Sequence, residues 1–185
     1  MDDGAVESLR GHLLIAAASL WDPNFRRTVV LIGHHDDDGA VGVVLNRATE
    51  VSVAEAVPPL ADLVGPQERL FIGGPVQPQA AVVVADLAQP ERVDVVAFDT
   101  IGFLPEEADR ELLGDIRRAR VFAGYAGWGA GQLEAEIAEG AWIEEPARAE
   151  DVFTPDPERL WDRVLRRKGP AFDLLRLMPM DPSLN

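Results

Sequence analysis

The sequence predicts an α+β fold built on a mixed, largely antiparallel sheet with flanking helices. Three observations predict it. Short β-branched apolar runs recur along the chain, helical patterns are interspersed among them without regular βαβ alternation, and 185 residues suit one core. With no internal repeat or low-complexity linker, residues 1–185 read as a single domain with an ordered core from about 8 to 178.

The elements follow in order. His12 to Ala18 is apolar and unbroken, as a buried strand requires, and Asp22-Pro23-Asn24 stops it. Thr28 to His34 and Ala40 to Asn46 flank Asp36-Asp37-Asp38-Gly39, which predicts a β-hairpin with its turn centred on Asp38-Gly39. Ser52 and Glu55 have capping-box spacing for a short helix from Val53 to Val57, which Pro58-Pro59 interrupts before a second helical turn to Val64. Strands are expected at Arg69 to Ile72, ended by Gly73-Gly74-Pro75, at Ala80 to Asp86, and at Val93 to Ala97. Pro105, with Glu106 and Glu107 suited to a positive helix start, predicts a helix to Ile116. Arg120 to Tyr125 is the next strand, followed by a helix from Gly129 to Ala138 with Leu133 and Ile137 on one face, and by a late strand from Ala141 to Glu144. Asp156-Pro157-Glu158 opens the last main helix, in which Leu160, Trp161, Val164 and Leu165 recur at helical spacing until Gly169-Pro170. Ala171 to Met178 is apolar enough to dock on the body, and Pro179 onward should fray.

Composition narrows the function. Seventeen basic against 32 acidic residues leave a net charge of −15, which repels phosphate backbones and disfavours direct nucleic-acid binding. The local exception is Arg159, Arg163, Arg166, Arg167, Lys168 and Arg176, read as a solvated helix face or, alternatively, as a DNA-binding one. Without cysteine there is no disulfide framework, thiolate nucleophile or cysteine metal site. Asp2, Asp3 and Glu7 give the start no basic, apolar leader character, and no apolar run is long enough to span a membrane, so a cytoplasmic protein is expected.

The motifs that carry chemistry are modest. Gly124 to Glu134, including Tyr125, Gly127, Trp128, Gly131, Gln132 and Glu134, has glycines at a strand-to-helix junction. They suit either an anion-holding nest of backbone N–H groups or a tight turn in which Tyr125 and Trp128 pack on the body. Neither dinucleotide nor P-loop spacing is present, and no cofactor is indicated. His34 and His35 point to opposite faces of a strand, which leaves His34 with Asp36 as a same-face pair and favours an acidic hairpin turn over a metal site. Ser8, Ser19, Ser52 and Ser183 lie outside any nucleophile-elbow pattern. Asp22, Asn24, Arg27 and Thr28 become a polar cluster if they meet Asn46-Arg47, and Arg27 or Arg47 would then hold a carboxylate or phosphate. The bland counterpart has Asp22 and Asn24 making turn bonds and the arginines pairing locally.

Five segments, taken in order, resemble the AlgH/YqgE family, also called UPF0301 or DUF179, a bacterial group without an assigned reaction. They are Gly11-His12-Leu13-Leu14-Ile15-Ala16, Asp22-Pro23-Asn24-Phe25-Arg26-Arg27-Thr28-Val29-Val30-Leu31, Gly39-Ala40-Val41-Gly42-Val43-Val44-Leu45-Asn46-Arg47, Phe71-Ile72-Gly73-Gly74-Pro75-Val76, and Gly124-Tyr125-Ala126-Gly127-Trp128 through Gly131-Gln132-Leu133-Glu134. Ala18, Ala48 and Ala130 stand where the family often has proline, a loss of stiffness and not of a chemical group. The resemblance implies a single α+β domain whose sheet bends into a pseudo-barrel, and a cytoplasmic protein. Members are sometimes called transcriptional regulators, and an indirect regulatory role is the form compatible with this acidic chain. A non-catalytic module binding a small molecule or protein partner therefore ranks first, through the junctions at 22–28, 46–47, Gly73-Gly74-Pro75 and 124–134. The alternative is an enzyme acting on a phosphorylated or carboxylated small molecule, with Glu134 as a base whose pKa burial has raised.

Overall fold

The computed structural model describes residues 7–105 and 107–178. The expected fraying after Pro179, the role of Glu106 in a helix, and the contributions of Asp2 and Asp3 lie outside them. Ten strands form one sheet: β1 (His12–Ala16), β2 (Val29–Asp36), β3 (Gly39–Val44), β4 (Ala48–Ser52), β5 (Arg69–Ile72), β6 (Val76–Leu87), β7 (Val95–Phe98), β8 (Ile101–Phe103), β9 (Ile116–Gly129) and β10 (Trp142–Pro146). Six α-helices accompany it among the described residues: α1 (Val53–Ala56), α2 (Arg110–Gly114), α3 (Gln132–Ala138), α4 (Ala149–Val152), α5 (Leu160–Lys168) and α6 (Asp173–Leu177).

The hydrogen-bonded order is β10-β1-β2-β3-β9-β6-β8-β7, with β4 on β5 and β5 on β9. All pairs are antiparallel except β5 with β9. The path is open, yet the sheet is strongly bent. A Cβ on Gly33 of β2 would lie 2.5 Å from the Phe103 ring of β8, and one on Gly11 would lie 2.6 Å from the Ala97 carbonyl of β7. The implied pseudo-barrel is thus a curled sheet without a closing ladder.

The unbroken apolar runs have a direct cause: β1 and β2 are covered on both faces. Leu13, Ile15, Val29 and Leu31 share a core with Leu160, Trp161, Val164 and Leu165 of α5, while Leu14, Ala16, Val30 and Ile32 point the other way, toward Leu133 of α3, Trp128 and Trp142. A third core sets Val83, Ala85, Leu87 and Val121 against Val53 of α1 and Leu112 of α2. The 3/4 spacing in α5 therefore marks its buried face, and the indole N–H of Trp161 donates to the Ala16 carbonyl at 2.9 Å.

Several local expectations hold. Ser52 and Glu55 form the reciprocal capping box of α1, and Pro58–Leu63 is the second helical turn, in 3-10 form. Phe172 and Leu175 dock on the core, although Leu174 and Leu177 of the same segment are exposed.

Others are corrected. The hairpin loop is Asp37-Asp38, because Asp36 pairs with Gly39, whose φ of 142° lets β3 begin there. The helix expected from Pro105 begins only at Arg110. The Leu104 N–H still bonds to the Val83 carbonyl of the sheet, and the Asp109 carboxylate caps the Leu112 N–H. β6 is longer than expected, and β4, β8 and α4 carry no strong pattern in sequence. The largest correction concerns residues 124–129, which continue β9 and are not a loop.

Replacing Ser52 with Ala should cost about 1 kcal/mol through loss of the cap to α1, measured as a lower urea midpoint with unchanged slope.

Candidate functional site

The first two expected junctions meet. Asn46 sits between them: its Oδ1 accepts from the Val29 N–H at 3.0 Å, and its Nδ2 donates to the Arg27 carbonyl at 2.8 Å. Arg47 donates from Nη2 to the Pro23 and Arg26 carbonyls at 2.8 and 3.2 Å. Burial, with Arg26 nearby, pushes the Arg47 pKa down. Asp22 accepts from the Asn24 N–H as an Asx turn, and the fully buried Thr28 donates its hydroxyl to the Phe25 carbonyl. Arg27 has a φ of 53°, donates to the Met178 carbonyl and lies over Trp161, with 4.7 Å to the ring centroid. Both arginines considered as anion clamps are thus engaged in joining loops to the body.

The other two junctions also meet, as a backbone crossing. Phe122 and Ala123 of β9 pair with β5 along one edge and with β6 along the other, so the chain between those strands passes over β9 within Gly73-Gly74-Pro75. A Cβ on Gly73 would lie 2.3 Å from the Gly124 carbonyl oxygen, and one on Gly74 only 2.2 Å from the Tyr125 carbonyl. Gly124 itself adopts a φ of 70°, which breaks the alternation of β9: Phe122 and Tyr125 face the α5 core, whereas Ala126 and Trp128 face the α3 core. These glycines serve close approach.

Trp128 is core. It is 6% exposed, packs against Phe25 and Trp142, and its indole N–H and that of Trp142 both donate to Glu136 Oε2, at 2.9 and 2.8 Å. Gly127 is exposed opposite Val41. Gly131, at a φ of 70°, precedes α3, and Gln132 links the Gly129 N–H to Glu136.

Glu134 is tied to the buried His35, with 2.6 Å between Oε1 and Nε2. Because the Leu9 N–H donates to His35 Nδ1 at 3.0 Å, Nε2 carries the proton and donates to the carboxylate. Its own backbone N–H and the His35 bond hold the Glu134 pKa below the usual carboxylate range. That is the reverse of the raised value a general base here requires. His34 faces solvent and pairs with Asp36 at 2.7 Å, and among the described residues no group of His, Asp and Glu is arranged to hold a metal ion.

The basic helical stretch is neutralised by its own acids and by those of β10 and α4. Arg166 pairs with Asp162, Arg167 with Glu145 and Asp151, Lys168 with Glu145, and Arg176 with Asp162 and Asp173. No helix of the described residues is long and apolar enough to cross a membrane.

Two of the clefts among the described residues lie largely apart from the expected set. A groove of about 820 Å³ runs between the 3-10 turn at Pro58–Leu63, β6 and the residues Phe103, Leu104, Ala108 and Leu113, bordered by Leu60, Leu63, Gln77, Gln79 and Tyr125. A pocket of about 330 Å³ lies against Arg120, between 65–69 and 154–157. Tyr125 is the sole member of the expected set on either. Gln77 and Gln79 carry no signal in sequence. Arg120 carries a faint one, since it alternates with Arg118 and Phe122 and so shares the inward face of Phe122.

The geometry defines an α+β protein on one open, bent sheet with clefts between its strands and connecting segments. Residues 13–173 match the AlgH-like family, DUF179, and the chain belongs to that family. A UPF0301 protein of Streptomyces avermitilis is 46% identical, over 97% of each chain, and one of Chlorobaculum tepidum is 40% identical, over 95% of each. A crystal structure of a Corynebacterium diphtheriae protein is similar over 91% of this chain and 92% of that one, at 34% identity and a TM-score of 0.81. The solution structure of the AlgH protein of Pseudomonas aeruginosa is similar over 97% and 98%, at 27% identity and a TM-score of 0.70.

Trp128→Ala should destabilise the protein by ~3–5 kcal/mol, read from urea unfolding, because a buried indole with two ring neighbours leaves a cavity. For Glu134→Gln the sign follows from a folded-state pKa lowered below 4.5. The wild type should be more stable than the variant above that pH, and the advantage should vanish as pH falls through the lowered value. Urea midpoints of both proteins from pH 7 to about 3 measure it.

Proposed function

We propose that the chain is a non-catalytic, cytoplasmic binding module, and that any effect on gene expression is indirect, through a ligand or partner protein. The groove between Leu60, Leu63, β6 and Tyr125 is the observation that carries this reading. Its volume of about 820 Å³ falls within the range of small-molecule clefts, and it joins apolar walls (Leu60, Val82, Phe103) with the amides of Gln77 and Gln79. Those amides offer donors and acceptors without a charge, and Asp62 is the one charged side chain of the lining, which suits a ligand body that is uncharged or carries a single donor or cationic group.

The enzyme alternative has less support. Its clamps, Arg27 and Arg47, are bonded to carbonyls, and its base, Glu134, is held ionised against His35. DNA binding through 159–176 meets paired charges in place of a free basic face.

A thermal-shift screen against uncharged polar metabolites, nucleotides, phosphosugars, acidic metabolites and divalent metals is the test, since any binder of the native state raises the midpoint. A reproducible shift abolished by Ala81→Trp, which fills the groove from an exposed position, supports a small-molecule site there. A shift untouched by that variant removes the groove from the reading. No shift across the library leaves protein partnership as the form to pursue by pull-down.

A further inference from the structure

We propose that Arg120 is the anion-binding side chain of a second site, which takes the carboxylate or phosphate group of a small organic molecule. It is independent of the groove, and the two share no lining residue.

The argument begins with an incompletely balanced buried charge. Arg120 is 7% exposed, and a guanidinium keeps its proton even when buried, so its charge must be met inside the protein. Its Nη1 donates to the Val152 and Thr154 carbonyls, both at 3.0 Å, and its plane lies over Phe71 with 4.6 Å to the ring centroid. None of these partners carries net charge. Nε is buried without a partner, and Nη2 has one carboxylate within reach among the described residues, Glu68 Oε1 at 4.0 Å, beyond hydrogen-bond distance. Burial pushes the Arg120 pKa down, Glu68 opposes this, and Arg69 and Arg118 add to the depression. In a chain of net charge −15, this is a local excess of positive charge.

The pocket sits against that guanidinium. It holds about 330 Å³, at the small end for a metabolite, and its walls include Pro66, Pro155, Pro157 and Phe71, residues of low conformational freedom. Gln67, Glu68 and Arg69 border it, with Arg69 paired to Glu158 at 3.4 Å. An oxyanion placed there would receive Nη2 in a charge-assisted hydrogen bond, with its apolar body against the prolines. A purely structural Arg120, fastening the turn after α4 to β9, is served by Nη1 alone. That role leaves the pocket and the buried, unpartnered Nε unexplained.

The test follows the Arg120 Nε–H resonance by NMR in the full chain, titrated with sodium phosphate or sodium propionate, with sodium chloride at matched ionic strength as control. Arg120→Gln loses both carbonyl bonds and is prone to unfold, so the informative variants are Glu68→Gln and Gln67→Glu, on side chains that make no other hydrogen bond or ion pair among the described residues. A saturable shift with phosphate, propionate or both, absent with chloride, is expected. Glu68→Gln should tighten it roughly five- to tenfold by removing the competing carboxylate, and Gln67→Glu should weaken it by a similar factor. Response to phosphate alone assigns a phosphate ester, and response to propionate alone a carboxylate. Equal shifts with chloride, no saturation by about 100 mM, or an affinity indifferent to Glu68→Gln would overturn the proposal. Ala81→Trp should leave these titrations unchanged; their loss would place the anion in the groove and would also overturn it.

Discussion

The fold depends on one backbone crossing. β9 is paired at Phe122 and Ala123 on both edges at once, by β5 and by β6, and only Gly73-Gly74-Pro75 joins those two strands. The connection lies directly on Gly124 and Tyr125, with no room for a Cβ at either Gly73 or Gly74. Much else is set there. The Gly73 carbonyl accepts from the Val44 N–H, which fixes the end of β3, and the Ile72 N–H donates to the Arg47 carbonyl, which fixes the start of the segment leading to β4. The positive φ of Gly124 then turns β9 so that its later residues serve a different core.

This turn explains how a single sheet supports three cores. A strand with strict alternation presents two faces, and β9 contributes Phe122 to the α5 core, Val121 to the core under α1 and α2, and Ala126 and Trp128 to the α3 core. The bend also brings β7 and β8 over β2, where Gly33 and Gly11 make way for Phe103 and Ala97. Curvature therefore rests on glycines placed where backbones or rings approach, and it does not need a closed ladder.

The same physics decides what was legible in sequence. Runs such as His12 to Ala16 announce themselves because both faces are covered, and the Ser52 cap and the α5 stripe are local patterns. Glycines are ambiguous: a positive φ in a turn, a nest for an anion and a close backbone crossing all favour glycine, and only pairing between residues ~50 apart in the chain distinguishes the last. That is why Gly73, Gly74 and Gly124 read as junctions of a site. Asn46 and Arg47 were legible as polar residues meeting the Asp22 turn, but whether such groups face a ligand or a carbonyl depends on loops 20 or so residues away. β4 and β8 are short and irregular in burial, so no period marks them.

Charge in this chain is handled locally, and the contrast among its arginines is informative. Arg167 lies between Asp151 and Glu145, Arg92 against Asp115, and Arg47 over two carbonyls at a partly exposed loop. Arg120 is more deeply buried than these and meets two neutral carbonyls, an aromatic face and one carboxylate at 4.0 Å. A protein with 32 acidic residues has no shortage of counterions, so their distance from this guanidinium is a property of the β5, β9 and 154–157 geometry. A buried cation left short of anions beside a rigid-walled opening is what an oxyanion from solution would complete.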